Sequence, residues 1–265
     1  MKTQERPDYA NWIPVKLLTA SGIAGGALAL LFGLSFLIHG GPALAVLRVL
    51  LAAASILILC FFAYMSRARR LLSYEGGGVQ GKILDNVLNY LHWDGTGVLL
   101  DIGCGSGALT VKAAKKHPSA KAVGMDYWGE LWDYAQIQCE RNARLEGVGE
   151  RVSFQKGDAA RLDFPDGQFD AAVSNFVFHE VKSQPDKLAL IREALRVLKP
   201  GAPFAFEDVF FSKAYYPDLN ALLAELSRDA AELHFTDTRK NGFVPRFLRT
   251  PLVAGQMGLI YGRKA

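Results

Sequence analysis

Among the 265 residues, the densest chemistry lies in Val98-Leu99-Leu100-Asp101-Ile102-Gly103-Cys104-Gly105-Ser106-Gly107-Ala108. A short apolar run meets three glycines at every second position and then a helix-forming stretch. Glycine lets the backbone pass close to a ligand, and a helix start turns N–H groups toward it. A nucleotide-like or otherwise polar ligand is what such a loop can hold. Asp126 ends the next apolar run, nineteen residues past Gly107. A carboxylate there can accept both hydroxyls of a ribose, or cap the following helix. Gly157-Asp158-Ala159 offers a short acid that can receive an exocyclic amine or cap a turn. Ser174-Asn175-Phe176-Val177-Phe178-His179-Glu180 follows a fourth apolar run and supplies an amide, an imidazole and a carboxylate. His179 is the candidate acid–base group, with Glu180 as its orienting or alternate acid. Local hydrogen bonding at a helix start is the plainer alternative for both.

These residues form one site only if strands deliver them to one edge. Strand patterns at 97–102, 121–125, 151–155, 169–174 and 202–206 alternate with helical stretches at 79–91, 108–116, 130–145 and 186–198. That alternation predicts an α/β domain built on a parallel sheet. A further helix is expected over 217–233, opened by Pro217, and β segments over 234–238 and 256–261. Leu198-Lys199-Pro200-Gly201 reads as a turn, because proline presets φ at one corner and glycine supplies the positive φ at the next. In an open sheet the crevice lies where strand order reverses, so 103–107 and 175–180 are expected to face one another.

Two uncharged runs precede this domain. The first, 17–38, has twenty-two residues, which as a helix extends about 33 Å, a bilayer's hydrocarbon thickness. The second reaches twenty-three residues over 43–65 if Arg48 snorkels. His39-Gly40-Gly41-Pro42 between them permits only a tight reversal, so an antiparallel hairpin is expected. Lys2, Arg6 and Lys16 precede it, Arg67, Arg69 and Arg70 follow it, and both ends are expected in the cytoplasm. Gly22-x-x-x-Gly26 permits close approach, with Ala52, Ala53 and Ala54 as the expected facing residues. The predicted organisation is a membrane hairpin over 1–66 and a second domain over 67–265. Net charge is +4 overall and, from 26 basic and 24 acidic residues after residue 65, +2 for the second domain. Such a balance argues against a nucleic-acid-binding surface. Cys60, Cys104 and Cys139 are odd in number and widely spaced, and the five histidines are scattered. Neither a disulfide framework nor a metal site is expected.

The spacing Asp101-x-Gly103-x-Gly105-x-Gly107, followed by Asp126, Gly157-Asp158, Asp170 to Asn175 and Leu198-Lys199-Pro200-Gly201, resembles the class I S-adenosylmethionine-dependent methyltransferases. The resemblance covers roughly 79–261. It implies a Rossmann-like, seven-stranded, mostly parallel sheet with helices on both faces and an antiparallel last strand. It implies S-adenosylmethionine as methyl donor, lying across the carboxyl ends of strands one, two and four. By position, Asp101, Gly103, Cys104, Gly105 and Gly107 would hold the methionine moiety and Asp126 the ribose. Asp158, with Ala159 beside it, would meet the adenine amine, Asn175 would line the floor, and Tyr127 and Trp128 would flank the base. Tyr74-Glu75-Gly76-Gly77-Gly78 is either a flap over the donor or a plain linker. The hairpin makes a small or membrane-dissolved acceptor the first expectation. An NAD(P)-dependent oxidoreductase is the rival enzyme, because Gly103-x-Gly105-x-x-Ala108 also fits a dinucleotide loop. The chain, however, has no Tyr-x-x-x-Lys pair for short-chain hydride chemistry. A membrane-anchored scaffold that binds the donor without turnover is the non-enzymatic alternative, and the sequence leaves the oligomeric state open.

Overall fold

The computed structural model describes residues 5–74, 78–129 and 136–265. The chain divides into two units, one of Asn11–Gly78 and one joining Met1–Ala10 to Val79–Ala265. The first holds α1 (Val15–Leu34), extended by a 3-10 turn to Leu37, and α2 (Pro42–Leu72). Both helices are long and apolar enough to cross a membrane. Their large side chains point outward, Ile23, Leu30, Val49 and Leu57 each being more than 60% exposed. An apolar surface of that extent is one that lipid or a partner would cover.

Small residues bring the two helices together. A Cβ on Gly25 would lie 2.7 Å from Leu59 and one on Gly22 would lie 3.3 Å from Phe62, while one on Gly26 would meet nothing. The close face therefore runs through Gly22 and Gly25, an i,i+3 row, rather than through the Gly22 and Gly26 expected from sequence. Ser55 Oγ donates to Gly25 O at 3.0 Å, closing the contact with a hydrogen bond. Arg48 donates to Ser35 O and Ile38 O and lies 4.5 Å over the Phe36 ring. It satisfies carbonyls that the end of the first helix leaves open.

The second unit alternates α3 (Val79–Tyr90), β1 (Val98–Ile102), α4 (Ala108–Lys116), β2 (Lys121–Asp126), α5 (Gln136–Leu145), β3 (Val152–Lys156), β4 (Ala171–Asn175), α6 (Lys187–Arg196), β5 (Pro203–Asp208), α7 (Leu219–Leu226), β6 (Ala230–Thr236) and β7 (Gly258–Lys264). Seven strands form one sheet in the order β3-β2-β1-β4-β5-β7-β6, parallel except for β7, which runs antiparallel to both neighbours. The first segments diverge from β1 in opposite directions, so the switch point lies between β1 and β4. Leu99, Leu100, Ile102, Ala171, Ala172 and Val173 are fully buried there, the signature of a strand pair covered on both faces.

The helix expected over 217–233 is shorter than its composition suggests. Asp218 caps it by accepting from Ala221 N, and it ends at Leu226. Residues 230–236 instead pair with β7, where His234 stacks on Tyr261 at 5.0 Å between centroids. Ala, Glu and Leu favour helix locally, but the open edge of β7 offers a whole ladder of hydrogen bonds, and tertiary pairing overrides propensity.

Candidate active site

β1 carries Asp101 to the sheet's carboxyl edge, where it is 1% exposed and accepts from Thr110 Oγ1 at 2.6 Å. Burial raises its pKa to about 7 against the opposing Thr110 bond, and the nearby charge of Asp126 adds to the rise. Gly103, Gly105 and Gly107 all have positive φ, at 73°, 55° and 80°. The N–H groups of Gly103 and Cys104 both donate to Met125 O, at 2.7 and 3.0 Å, folding the loop over the end of β2. A Cβ on Gly103 would lie 2.1 Å from Val177 Cγ2, so no other residue fits and the loops after β1 and β4 meet face to face. Cys104 is buried, and burial followed by its hydrogen bond with Cys139 pushes its thiol well above the ordinary range. Cys139 Sγ in turn donates to Gly105 O at 3.1 Å.

Asp126, at the end of β2, accepts from Gly105 N through one carboxyl oxygen and from Trp128 N through the other, each at 2.8 Å. Burial raises its pKa while these N–H groups oppose the rise. Trp128 also donates its indole N–H to Gly105 O at 2.9 Å and has φ of 44°, an uncommon conformation for a bulky residue. Tyr127 faces solvent at 64% exposure, with Lys156 Nζ 5.4 Å from its ring centroid. Gly157 N donates to Asp126 O at 2.9 Å, which brings the β3 loop alongside. There Asp158 accepts from Ala160 N and from Ser183 Oγ, both at 2.9 Å, while Ala159 is buried in the apolar core.

Asn175 ends β4 with its Oδ1 buried and without a partner, and Phe176 beyond it has φ of 57°. His179, half-buried, donates its backbone N–H to Asp208 Oδ2 at 3.0 Å, and its Nδ1 lies 2.5 Å from Asp208 Oδ1. Val209 N and Tyr216 Oη complete the set of donors to Asp208, at 2.7 and 2.9 Å. Glu180 is further from the imidazole, its Oε1 lying 3.6 Å from Nε2. Burial alone would lower the His179 pKa; the Asp208 bond, the Glu180 bond and both charges raise it to about 9. The ring is therefore an imidazolium at neutral pH, oriented from Nδ1 by Asp208, with Glu180 beside Nε2.

Asp101, the glycine loop, Asp126 and Asn175 thus share one edge of β1, β2 and β4, and Asp158 adjoins it; Tyr127, next to Asp126, extends into solvent. Glu75, Gly76 and Gly77, the middle of the flap or linker, and the first six positions of the helix expected over 130–145 lie outside the described residues. Sequence reasoning missed Asp208 and Tyr216. A strand-end acid after β5 follows the same rule that found Asp126, so Asp208 was findable. It also missed a strap. Asp8 N donates to Asn142 Oδ1 at 2.8 Å, Asn142 Nδ2 donates to Asp8 O at 2.7 Å and to Ser106 O at 3.0 Å, and Ser106 Oγ donates to Tyr9 O at 2.8 Å. Residues 8–9 are tied in this way to the glycine loop and α5, and no local pattern announces contacts 97 to 134 residues apart.

Residues 99–201 match the family model described as a methyltransferase domain. Over 106 residues the chain is 37% identical to norajmaline N-methyltransferase of Rauvolfia serpentina, spanning 40% of this chain and 33% of that one. Over 120 residues it is 33% identical to a sterol 24-C-methyltransferase of Aspergillus fumigatus, spanning 45% and 30%. The chain thus covers about a third of the length of these relatives. Its fold matches geranyl diphosphate C-methyltransferase of Streptomyces coelicolor with a TM-score of 0.52 at 16% identity, over 70% of this chain and 76% of that one. Sheet order, glycine loop and the match over residues 99–201 together support a methyltransferase domain of the class I S-adenosylmethionine-dependent kind within the unit that holds them. The nicotinamide reading of the glycine loop loses its ground with that match.

Proposed function

We propose that the chain is an enzyme that transfers the sulfonium methyl group of S-adenosylmethionine to a small or membrane-dissolved acceptor at the cytoplasmic face of a membrane. The observation that carries the reading is the opposition of Gly103 and Val177 with Asp101, Asp126 and Asn175 along the same edge. The residues fit the donor. Asp126 accepts backbone N–H groups through both oxygens and keeps acceptor capacity for two ribose hydroxyls. Asn175 Oδ1 is buried with an acceptor to offer, and a side chain at Gly103 would fill the cradle. We assign the methionine moiety to Asp101, Gly103, Cys104, Gly105 and Gly107, the adenine amine to Asp158 beside Ala159, and the floor to Asn175. The exposed Tyr127 and the loop-bound Trp128 flank the base.

When bound, the donor supplies a methyl group already activated on a cationic sulfur. The protein's own work is then chiefly to hold nucleophile and methyl in line, where effective molarities reach about 10⁵ to 10⁸ M. His179 presents Nε2 at the mouth of the site. Asp208 fixes the ring, and Glu180 is the alternate acid. Below about pH 9 the imidazolium donates a hydrogen bond to acceptor oxygen, and above it the neutral ring accepts a proton.

Two apolar helices and the following Arg67, Arg69 and Arg70 support a location at the membrane, where each basic residue contributes about 1 kcal/mol of attraction to anionic lipid. A relative that acts on a sterol supports an apolar acceptor. The test incubates full-length protein with isotopically labelled donor and a total lipid extract, and reads products by mass spectrometry. Label in a lipid-soluble product is expected. Label confined to water-soluble products refutes the membrane acceptor, and donor binding without any product refutes turnover.

A further inference from the structure

Among the described residues, four side-chain nitrogen or oxygen atoms are buried without a hydrogen-bond partner, and three of them belong to Asn86, Asn175 and Glu207. They sit on different elements, yet the fold gathers them. Asn175 and Glu207 are paired across β4 and β5, so their side chains leave the same face of the sheet. α3, which carries Asn86, packs against these two strands. The turn after β6 ties the remaining two together. Thr238 Oγ1 donates to Glu207 Oε1, and Asn241 Nδ2 donates to Asn86 Oδ1 at 3.3 Å. Glu207 is fully buried, so its unpartnered Oε2 carries the desolvation cost of a polar group left without a partner.

We propose that Asn86, Asn175 and Glu207 form the acceptor-recognition subsite, and that it takes a neutral, hydroxyl-bearing molecule such as a phenol, enol or alcohol. The proposal rests on the methyl-transfer reading above, because Asn175 is the residue shared with the donor site. The complementarity is specific. Thr238 supplies a proton to Oε1, and burial holds the Glu207 carboxyl well above the usual range, opposed by the Thr238 bond and aided by the charge of Asp208. That direction favours the neutral acid, and Oε2 is the oxygen left to hold its proton. The subsite offers donors from Glu207 Oε2 and Asn86 Nδ2 and an acceptor in Asn175 Oδ1. A hydroxyl, which both donates and accepts, satisfies such a set. An anionic head does not. Two basic groups of the neighbouring segment are engaged elsewhere, Arg239 on Asp237 and Arg249 on the carbonyls of Asn241 and Val244. A phosphate or carboxylate brings no proton for Asn175 Oδ1 and would be stripped of water among these amide and carboxyl groups. The predicted acceptor is therefore a neutral hydroxylic compound dissolved in the membrane, and not a phospholipid head group.

The test uses full-length protein in nanodiscs saturated with S-adenosylhomocysteine. The probes are hexylresorcinol and its monophosphate ester, titrated against protein with empty nanodiscs as the blank. Saturable binding of the diphenol, at least tenfold tighter than that of the ester, is expected. Glu207→Gln keeps a neutral donor and is expected within about threefold of wild type. Glu207→Leu removes it and is expected to weaken the probe at least tenfold with S-adenosylhomocysteine affinity unchanged. Asn86→Leu provides the same comparison should Glu207→Leu fail to fold. Equal binding of ester and diphenol, or probe affinity indifferent to both leucine substitutions, overturns the subsite. Failure of wild-type protein to bind S-adenosylhomocysteine overturns the donor reading beneath it.

Discussion

Replacing Asp208 by asparagine isolates what one carboxylate does for His179. Asp208 is fully buried and accepts from His179 N, His179 Nδ1, Val209 N and Tyr216 Oη. An asparagine retains one oxygen, enough for the ring and Val209 N. Its amide nitrogen then faces the His179 and Tyr216 groups. The tyrosine hydroxyl can rotate and accept, but the His179 N–H cannot, so one buried donor is stranded at a cost of about 1–3 kcal/mol. The ring loses its main counter-charge while its burial remains. Its pKa should fall from about 9, since burial is then opposed by Glu180 alone. In the wild type, the folded pKa is raised. The pair's contribution to stability is thus complete below about pH 6.5 and is lost as pH rises through about 9. The variant should lose that alkaline slope, melt lower at neutral pH and shift its activity profile toward acid, whereas Tyr216→Phe, which spares the carboxylate, should not. Histidine carbon–proton NMR and melting curves between pH 5 and 10 measure both effects. A His179 signal that still titrates near 9 in the Asp208→Asn protein would refute the argument.

Asp101 makes an opposite pH prediction. Its folded pKa of about 7 lies above the unfolded value of 3.8, so stability falls as pH rises between those values. If the donor's ammonium settles against it, binding at pH 6 to 7 should release a proton, and calorimetry in buffers of different ionisation enthalpy reads that number directly; Asp101→Asn should abolish the release. Asn142→Ala should free the strap at residues 8–9, cost about 1–3 kcal/mol through the stranded Ser106 carbonyl, and weaken donor binding several-fold. Faster proteolysis before residue 11 with unchanged donor affinity would show the strap to be independent of the site. In the hairpin, Gly25→Leu drives a side chain into Leu59 and should separate α1 from α2, whereas Gly26→Leu should be silent; a disulfide-trapping assay between the helices distinguishes the two.

The glycine loop, Asp126 and the strand–helix alternation were legible because each is a local signal with a short period. Elements from α3 through β5 fall within a few residues of their patterns for the same reason, apart from the start of the helix expected over 130–145, which lies outside the described residues. The helix expected over 217–233 ran too far because nothing in Ala-Glu-Leu composition reports that β7 lies open beside it. His179 was readable as a candidate and Asp208 as a strand-end acid, but their pairing was not. Glu180 is adjacent in sequence and looked like the partner, while Asp208 is 29 residues away and reaches the ring only because β4 and β5 are neighbours. The strap at Asp8 and Tyr9 illustrates the limit: its bonds depend on the packing of α5, and no spacing rule encodes that.

Glu207 and Asp208 show how far a single step along a strand can divide chemistry. Successive residues leave opposite faces of the sheet. Asp208 shares its face with Phe204, Phe206 and Phe178, among which it is surrounded by four donors, so its charge is a fixed feature that orients an imidazole. Glu207 shares the other face with Asn175 and receives a bond from Thr238, so burial pushes it toward the neutral acid. One acid is anchored by the fold and the other retains an oxygen to spend on a visitor. The pleat alone decides which is which: the register that pairs Asn175 with Glu207 puts Asp208 on the other face, beside His179.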